Sequence, residues 1–126
     1  MPSPELVLRL GRIPGTVNRH GKAWGKAYAE RRDFRDLTYW LAKAQHGTKP
    51  ALGFCEAHAT IYWPKRGPLP DPSNLSHLWK GILDGLVAAK VLPGDRAEHV
   101  RTHEPVVVRG PARTEIKLRE QAEIGL

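Results

Sequence analysis

The residues best able to do chemistry lie around one short amphipathic segment. Asp71 stands just before a proline, Lys80 lies within the segment, and Asp95 follows it in a Pro-Gly-Asp turn. Two carboxylates can hold a divalent cation through oxygen, and a lysine can contact a phosphate. Most of the excess positive charge of the chain lies outside this segment. Taken together, the two carboxylates, the lysine and the basic remainder of the chain point to metal-assisted chemistry on a phosphodiester.

A helix over Ser73 to about Lys90 is predicted to position these residues. Ser73 is a competent N-cap, and Pro72 keeps Asp71 extended in front of the helix. Apolar residues recur at spacings of three and four, which predicts one buried stripe. The stripe consists of Leu75, Leu78, Trp79, Ile82, Leu83, Leu86 and Ala89.

The opposite face of this predicted helix is small and polar. Ser73, His77, Lys80 and Asp84 follow one another at helical spacing and therefore share a face. The turn after the helix can fold Asp95 back towards Asp71. A simpler interpretation stays open, in which Lys80 and Asp84 form a solvated ion pair and the two aspartates are ordinary turn residues.

The joint pattern of residues 69–100 resembles the RusA family of Holliday junction resolvases, particularly its phage and prophage members. The core of that family has Asp-x-Asp-Asn-Leu, a lysine, Asp-(Ala or Gly)-Leu, a short hydrophobic stretch and Asp-Asp before a strand. The loop with Pro14 and Asn18 resembles the family's Pro-x-Ser-x-Asn loop only weakly. The matching residues are Asp71, Asn74, Leu75, Lys80, Asp84, Gly85, Leu86 and Asp95.

The resemblance implies a metal-binding set at Asp71, Ser73 and Asp95, with Lys80 as the essential basic residue. It also implies Mg²⁺, with Mn²⁺ as an alternative, and a homodimer that cuts branched DNA. Two positions depart from the family pattern, because Ser73 and Gly94 replace aspartates. A hydroxyl is a poorer ligand than a carboxylate, so weaker metal binding is expected.

The distribution of charge also favours a nucleic-acid partner. The net charge is +7, and residues 1–50 hold ten Lys or Arg against four acids, whereas residues 51–126 hold ten against nine. A basic, flexible loop over about residues 11–28 is predicted to contact phosphates through Arg19, Lys22 and Lys26. Its aromatic residues could stack on exposed bases, and Asn74 and Lys80 are assigned to the same nucleic-acid surface.

The remaining pattern predicts one α/β domain over residues 1–126, with a mixed sheet and two main helices in the order β-α-β-α-β-β. A helix over 30–46 is expected to bury Phe34, Leu37, Leu41 and Ala44. The end of the chain, about 121–126, is expected to fray. The predicted strands are 5–10, 54–63, 97–103, 105–109 and 114–120.

Three other features are given structural interpretations. Cys55 is expected to be a small core residue, since one cysteine cannot form an internal disulfide. His99 and His103 have zinc-like spacing only on a helix, whereas their surroundings indicate a strand. Glu56 and His58 are placed on a solvated sheet face, from which either could approach a metal from outside its ligand shell.

Together these features predict a Mg²⁺-dependent, structure-selective endodeoxyribonuclease that resolves Holliday junctions. The alternative is a catalytically impaired protein that binds junctions or single-stranded DNA. A third, more distant alternative is a protein-interaction module with an acidic partner. No apolar run reaches membrane-spanning length and no signal peptide is recognisable, so a cytoplasmic protein is expected, in a bacterial host cell if it is phage-encoded.

Overall fold

The computed structural model describes residues 5–15, 24–64 and 66–121, with the side chains of the first helix described from Ala29 onward. A short 3-10 turn, Pro72–Leu75, precedes the second helix. The helices are α1 (Trp24–His46) and α2 (Leu78–Ala88), and the strands are β1 (Glu5–Leu10), β2 (Cys55–Trp63), β3 (Val100–Thr102), β4 (Val106–Arg109) and β5 (Arg113–Glu120).

The strands form one mixed sheet, as the sequence predicted. β5 lies between β1 and β2 and runs antiparallel to both. The other edge of β2 is covered by two short parallel pieces, β3 beside Cys55–Ala57 and β4 beside Thr60–Trp63. The predicted small α/β architecture is therefore confirmed, with β3 and β4 as successive pieces along one strand edge.

One face of the sheet carries the core. Alternate residues of β2 from Cys55 to Trp63 are buried, because successive side chains of a strand point to opposite faces. Phe34 of α1 and Ile82 and Leu86 of α2 belong to the same buried cluster. The opposite face of β2, with Glu56 and His58, is partly or fully exposed.

The two helices pack closely through glycines of α2. A Cβ atom at Gly81 would collide with the carbonyl oxygen of Arg31, and one at Gly85 would lie 2.6 Å from the carbonyl oxygen of Arg35. Such an approach is possible only where α2 has no side chain. The glycines therefore fix how α2 lies against α1.

The boundaries and buried stripes of both helices correct the sequence prediction. α1 begins at Trp24, so residues 24–28 belong to the helix and not to the predicted loop. Ala44 is exposed, and Thr38 and Ala42 are buried instead, with Thr38 packed against Gly85 of α2.

The segment before α2 also differs from the prediction. The continuous helix expected from Ser73 is divided into the 3-10 turn and an α-helix that begins at Leu78. The N-cap of the 3-10 turn is Asp71, whose side chain accepts from the backbone N–H of Ser73.

Candidate functional site

Asp71 is held as an ionised, exposed carboxylate by Ser73. Its Oδ1 accepts from the backbone N–H of Ser73 at 2.9 Å and from the hydroxyl of Ser73 at 2.9 Å. Both hydrogen bonds stabilise the charged form, so they lower the pKa of Asp71, the backbone bond contributing most. Ser73, which stands where the resembled family has a second aspartate, thus orients the carboxylate of Asp71.

The polar face of α2 is tied to α1 at two points. His77 Nε2 lies 3.0 Å from Glu30 Oε1, and Glu30 also accepts from the backbone N–H of Gly15. Asp84 Oδ2 accepts from Nε and Nη2 of Arg31 at 2.9 and 2.8 Å. The alternative ion pair of Asp84 with Lys80 is therefore replaced by a pair between the helices.

Lys80 and Asn74 remain exposed beside these contacts. Lys80 lies on α2 between His77 and Asp84, the two residues that are tied to the first half of α1. Neither Lys80 nor Arg32, an exposed residue of α1, forms an ion pair with any other residue that the structure describes. The exposed Lys80 side chain is therefore available to an anionic ligand beside these contacts.

Asp95 is exposed and lies at the other end of α2 from Asp71. Asp71 leads into the 3-10 turn, whereas Asp95 lies in the loop whose neighbouring backbone pairs with residues Leu52 and Cys55. α2 alone spans about 16 Å at about 1.5 Å per residue, and residues 89–95 form the loop that leads from it to Asp95. The structure brings Asp71 and Ser73 together, and the approach of Asp95 to them stays a prediction.

Asp71 and Asp95 differ from most acidic residues that the structure describes, because no basic side chain of the described residues pairs with them. Within the described ranges, neither forms an ion pair, whereas acids on β1, β2, β5 and both helices do. A carboxylate without a cationic partner keeps its charge available to a metal ion. The metal-binding and catalytic roles assigned to them, and to Lys80, stay predictions.

Two of the residues assigned to DNA binding, Arg19 and Lys22, lie outside the described residues. Lys26 lies in the first turn of α1, but its side chain is outside the described part of the chain. Arg31 and Arg35, a little further along α1, are exposed and each forms an ion pair with an aspartate.

A cluster on the open face of the sheet was missed by the sequence interpretation. Ligand atoms of Glu56, His58 and His103 all lie within 4.8 Å of one another. The rings of His58 and His103 stack with centroids 4.1 Å apart and planes 10° from parallel. Partial burial and, secondarily, the neighbouring His103 lower the pKa of His58. The only signal for this cluster in the sequence was that Glu56 and His58, two possible metal ligands, alternate along β2 and therefore share a face.

Cys55 is fully buried, as predicted for a core residue, and burial raises the pKa of its thiol to about 11. Neither described helix is both long enough and apolar enough to cross a membrane.

Comparison with known proteins adds little to this site. No family model matches the chain, and no curated protein matches it. Among solved structures it is similar to thiamine-monophosphate kinase from Stenotrophomonas maltophilia K279a, with 13% sequence identity and a TM-score of 0.36. That match covers 96% of this chain and 32% of the kinase, so the chain spans about a third of that protein's length.

Proposed function

We propose that the chain is a metal-dependent endodeoxyribonuclease of RusA type that acts on branched DNA. Mg²⁺ or Mn²⁺ would supply an activated water and stabilise charge on the scissile phosphate. Asp71 and Asp95 would bind the metal, and Lys80 would contact the phosphate or the leaving oxygen.

The observation that carries this proposal is the position of α2 against α1. The pairs Glu30–His77 and Arg31–Asp84 fix the start of α2, which includes Lys80, alongside the first half of α1, and Asp71 lies in the turn just before α2. That half of α1 continues directly from the segment that contains Arg19 and Lys22, two of the residues predicted to contact phosphates. A phosphate backbone following the basic surface would therefore pass the Asp71 carboxylate and Lys80.

The predicted homodimer bears on how Asp71 and Asp95 would share one metal ion. The loop of residues 89–95 could return Asp95 along the roughly 16 Å of α2 to Asp71 within one protomer. In a two-fold dimer with antiparallel α2 helices, Asp71 of one protomer would instead lie near Asp95 of its partner. Each dimer would then hold two sites, as cutting two strands of a junction requires.

A mixing experiment tests the shared site. Asp71→Asn and Asp95→Asn should each abolish cleavage of a four-way junction in Mg²⁺ and in Mn²⁺. If the site is shared between protomers, mixed dimers formed by unfolding and refolding the two inactive variants together should recover cleavage, because one of their two sites contains both aspartates. Loss of activity in each variant without recovery in the mixture would argue against a shared site.

Substitutions at Ser73 can distinguish the nuclease from the catalytically impaired DNA-binding alternative. If the Ser73 position only weakens metal binding, Ser73→Asp should lower the Mg²⁺ concentration needed for cleavage, and Ser73→Asn is the uncharged control of similar size. A wild-type protein that binds junctions but does not cut them in either metal, and gains cutting only with Ser73→Asp, would support the DNA-binding alternative.

DNA binding can be measured apart from cleavage. Replacing Arg19, Lys22 and Lys26 by glutamine should weaken binding to junction DNA and flatten its dependence on salt, because fewer counterions are released. Arg9, Lys117 and Arg119, which are exposed on the sheet, provide a control set that removes the same number of charges. Equal losses from both sets would show that only net charge matters, and an unchanged slope would exclude the segment as the phosphate contact.

A further inference from the structure

The side chains of Glu56, His58 and His103 converge on the sheet face opposite the helices. Glu56 and His58 are alternate residues of β2 and so share a face. β3 runs parallel to β2 with Ala57 beside Thr102, and this register brings His103 next to His58. His103 Nε2 lies 3.3 Å from Glu56 Oε1.

The backbone at His103 is fixed from two directions. Its N–H donates to the carbonyl oxygen of Ala57 at 3.1 Å, which extends the pairing of β3 with β2. Its carbonyl oxygen accepts from the indole Nε1 of Trp79 on α2 at 2.9 Å. The three side chains therefore start from backbone positions that are already in place, so little ordering is needed for them to act together.

We propose that Glu56, His58 and His103 bind one zinc-class divalent transition-metal ion, with water completing its coordination. Two imidazoles and one carboxylate are a ligand set that Zn²⁺ accepts while keeping a position open. Ligand atoms around one tetrahedral zinc ion lie about 3.3 to 3.5 Å apart. The observed 3.3 Å between His103 and Glu56 already fits that spacing.

At least one histidine ring must rotate before all three side chains can contact the same metal ion. The lone pair of an imidazole lies in the plane of its ring, and the two rings are stacked nearly parallel. One ring at least has to turn so that both nitrogen atoms point to a common centre. His58 is exposed and the χ2 torsion of histidine is broad, so this rotation meets little resistance.

The ligand atoms, and not the local charges, select against Mg²⁺ at this site. Lys117 and Arg119 of β5 lie directly opposite His58 and Glu56, and only Arg119 is neutralised by a described carboxylate, that of Glu5. A cation bound here therefore gains little from the local field. Nitrogen ligands favour zinc, nickel or copper, whereas Mg²⁺ requires oxygen ligands and binds weakly to imidazole.

The test is calorimetric titration of the tag-free, full-length chain with zinc chloride at neutral pH. Wild type should bind one ion per chain, and His58→Ala, His103→Ala and Glu56→Gln should each weaken binding by at least about tenfold. His99→Ala is the matched control, because its side chain is 31% exposed against 32% for His103 and it lies outside the cluster. Circular dichroism should show that every variant retains the wild-type fold.

Two results would overturn the proposal. One is a wild-type chain that binds no zinc at stoichiometric concentrations. The other is binding that His58→Ala leaves unchanged or that His99→Ala weakens as much as His58→Ala does. Asp71→Asn and Asp95→Asn should leave zinc binding intact, so failure of the nuclease proposal and failure of this one can be distinguished.

Discussion

The glycines of α2 offer a direct test of how the candidate site is held together. Alanine is the better helix former by about 1 kcal/mol, so Gly81→Ala and Gly85→Ala would stabilise an isolated α2 helix. In the folded protein the new Cβ at Gly81 would meet the carbonyl oxygen of Arg31 and lie 3.0 Å from Phe34 Cβ. We therefore expect both substitutions to destabilise the protein.

The size of the effect follows from the contacts. At Gly85 the new Cβ would lie 2.6 Å from the carbonyl oxygen of Arg35 and 2.8 Å from Thr38 Cβ, and real Cβ atoms essentially never approach closer than 3.0 Å. The obstacle includes backbone, so α1 must shift as a unit. Overpacking of this kind costs about 1 to 3 kcal/mol. Taking the upper value, less the gain of about 1 kcal/mol in helix propensity, we expect a net loss of about 2 kcal/mol for each substitution.

The assay is urea unfolding followed by tryptophan fluorescence, with the melting temperature as a second measurement. A loss of about 2 kcal/mol should lower the melting temperature by roughly 8 °C in a chain of this size. Gly11→Ala is the control, because a Cβ there would meet nothing within 4 Å, and its effect should stay within about 0.5 kcal/mol. If Gly81→Ala and Gly85→Ala are as stable as wild type, the close contact of the helices is wrong.

Three further predictions concern individual side chains. Cys55 should react with disulfide reagents at pH 8 only after unfolding, because its thiol is buried and its pKa is raised to about 11; fast reaction of the native chain would contradict its burial. Ser73→Ala should raise the pKa of Asp71 part of the way to its ordinary value in an NMR titration, since the backbone hydrogen bond remains; an unchanged pKa would refute the role of the hydroxyl. Because the folded pKa of Asp71 is lowered, its contribution to stability is present above the unfolded pKa and is lost as the pH falls through the folded one. The Arg31–Asp84 pair is a third to a half exposed, so a double-mutant cycle with Arg31→Gln and Asp84→Asn should give a coupling of at most about 1 kcal/mol, and no coupling would contradict the contact.

The strands and the apolar stripe of α2 were predictable from sequence because their signals are local. The alternation from Cys55 to Trp63 specifies which face of β2 is buried without reference to any other strand. The boundaries of β1 at Glu5 and Leu10 were predicted for the same reason. The separate 3-10 turn at Pro72–Leu75 was not predicted, because the periodicity of the apolar residues continues across it.

Tertiary structure decided which polar side chains meet. Local spacing predicted an ion pair between Lys80 and Asp84. Packing of α2 on α1 instead pairs Asp84 with Arg31, which donates two hydrogen bonds to its carboxylate. The sequence placed Asp71 and Asp95 in turns on either side of a helix, and only tertiary packing of the loop after that helix can bring them together. His103 lies far along the chain from His58, and only the parallel register of β3 brings their rings into contact. Residue types and local periods were thus readable from the sequence, whereas these contacts depend on packing between elements distant in the chain.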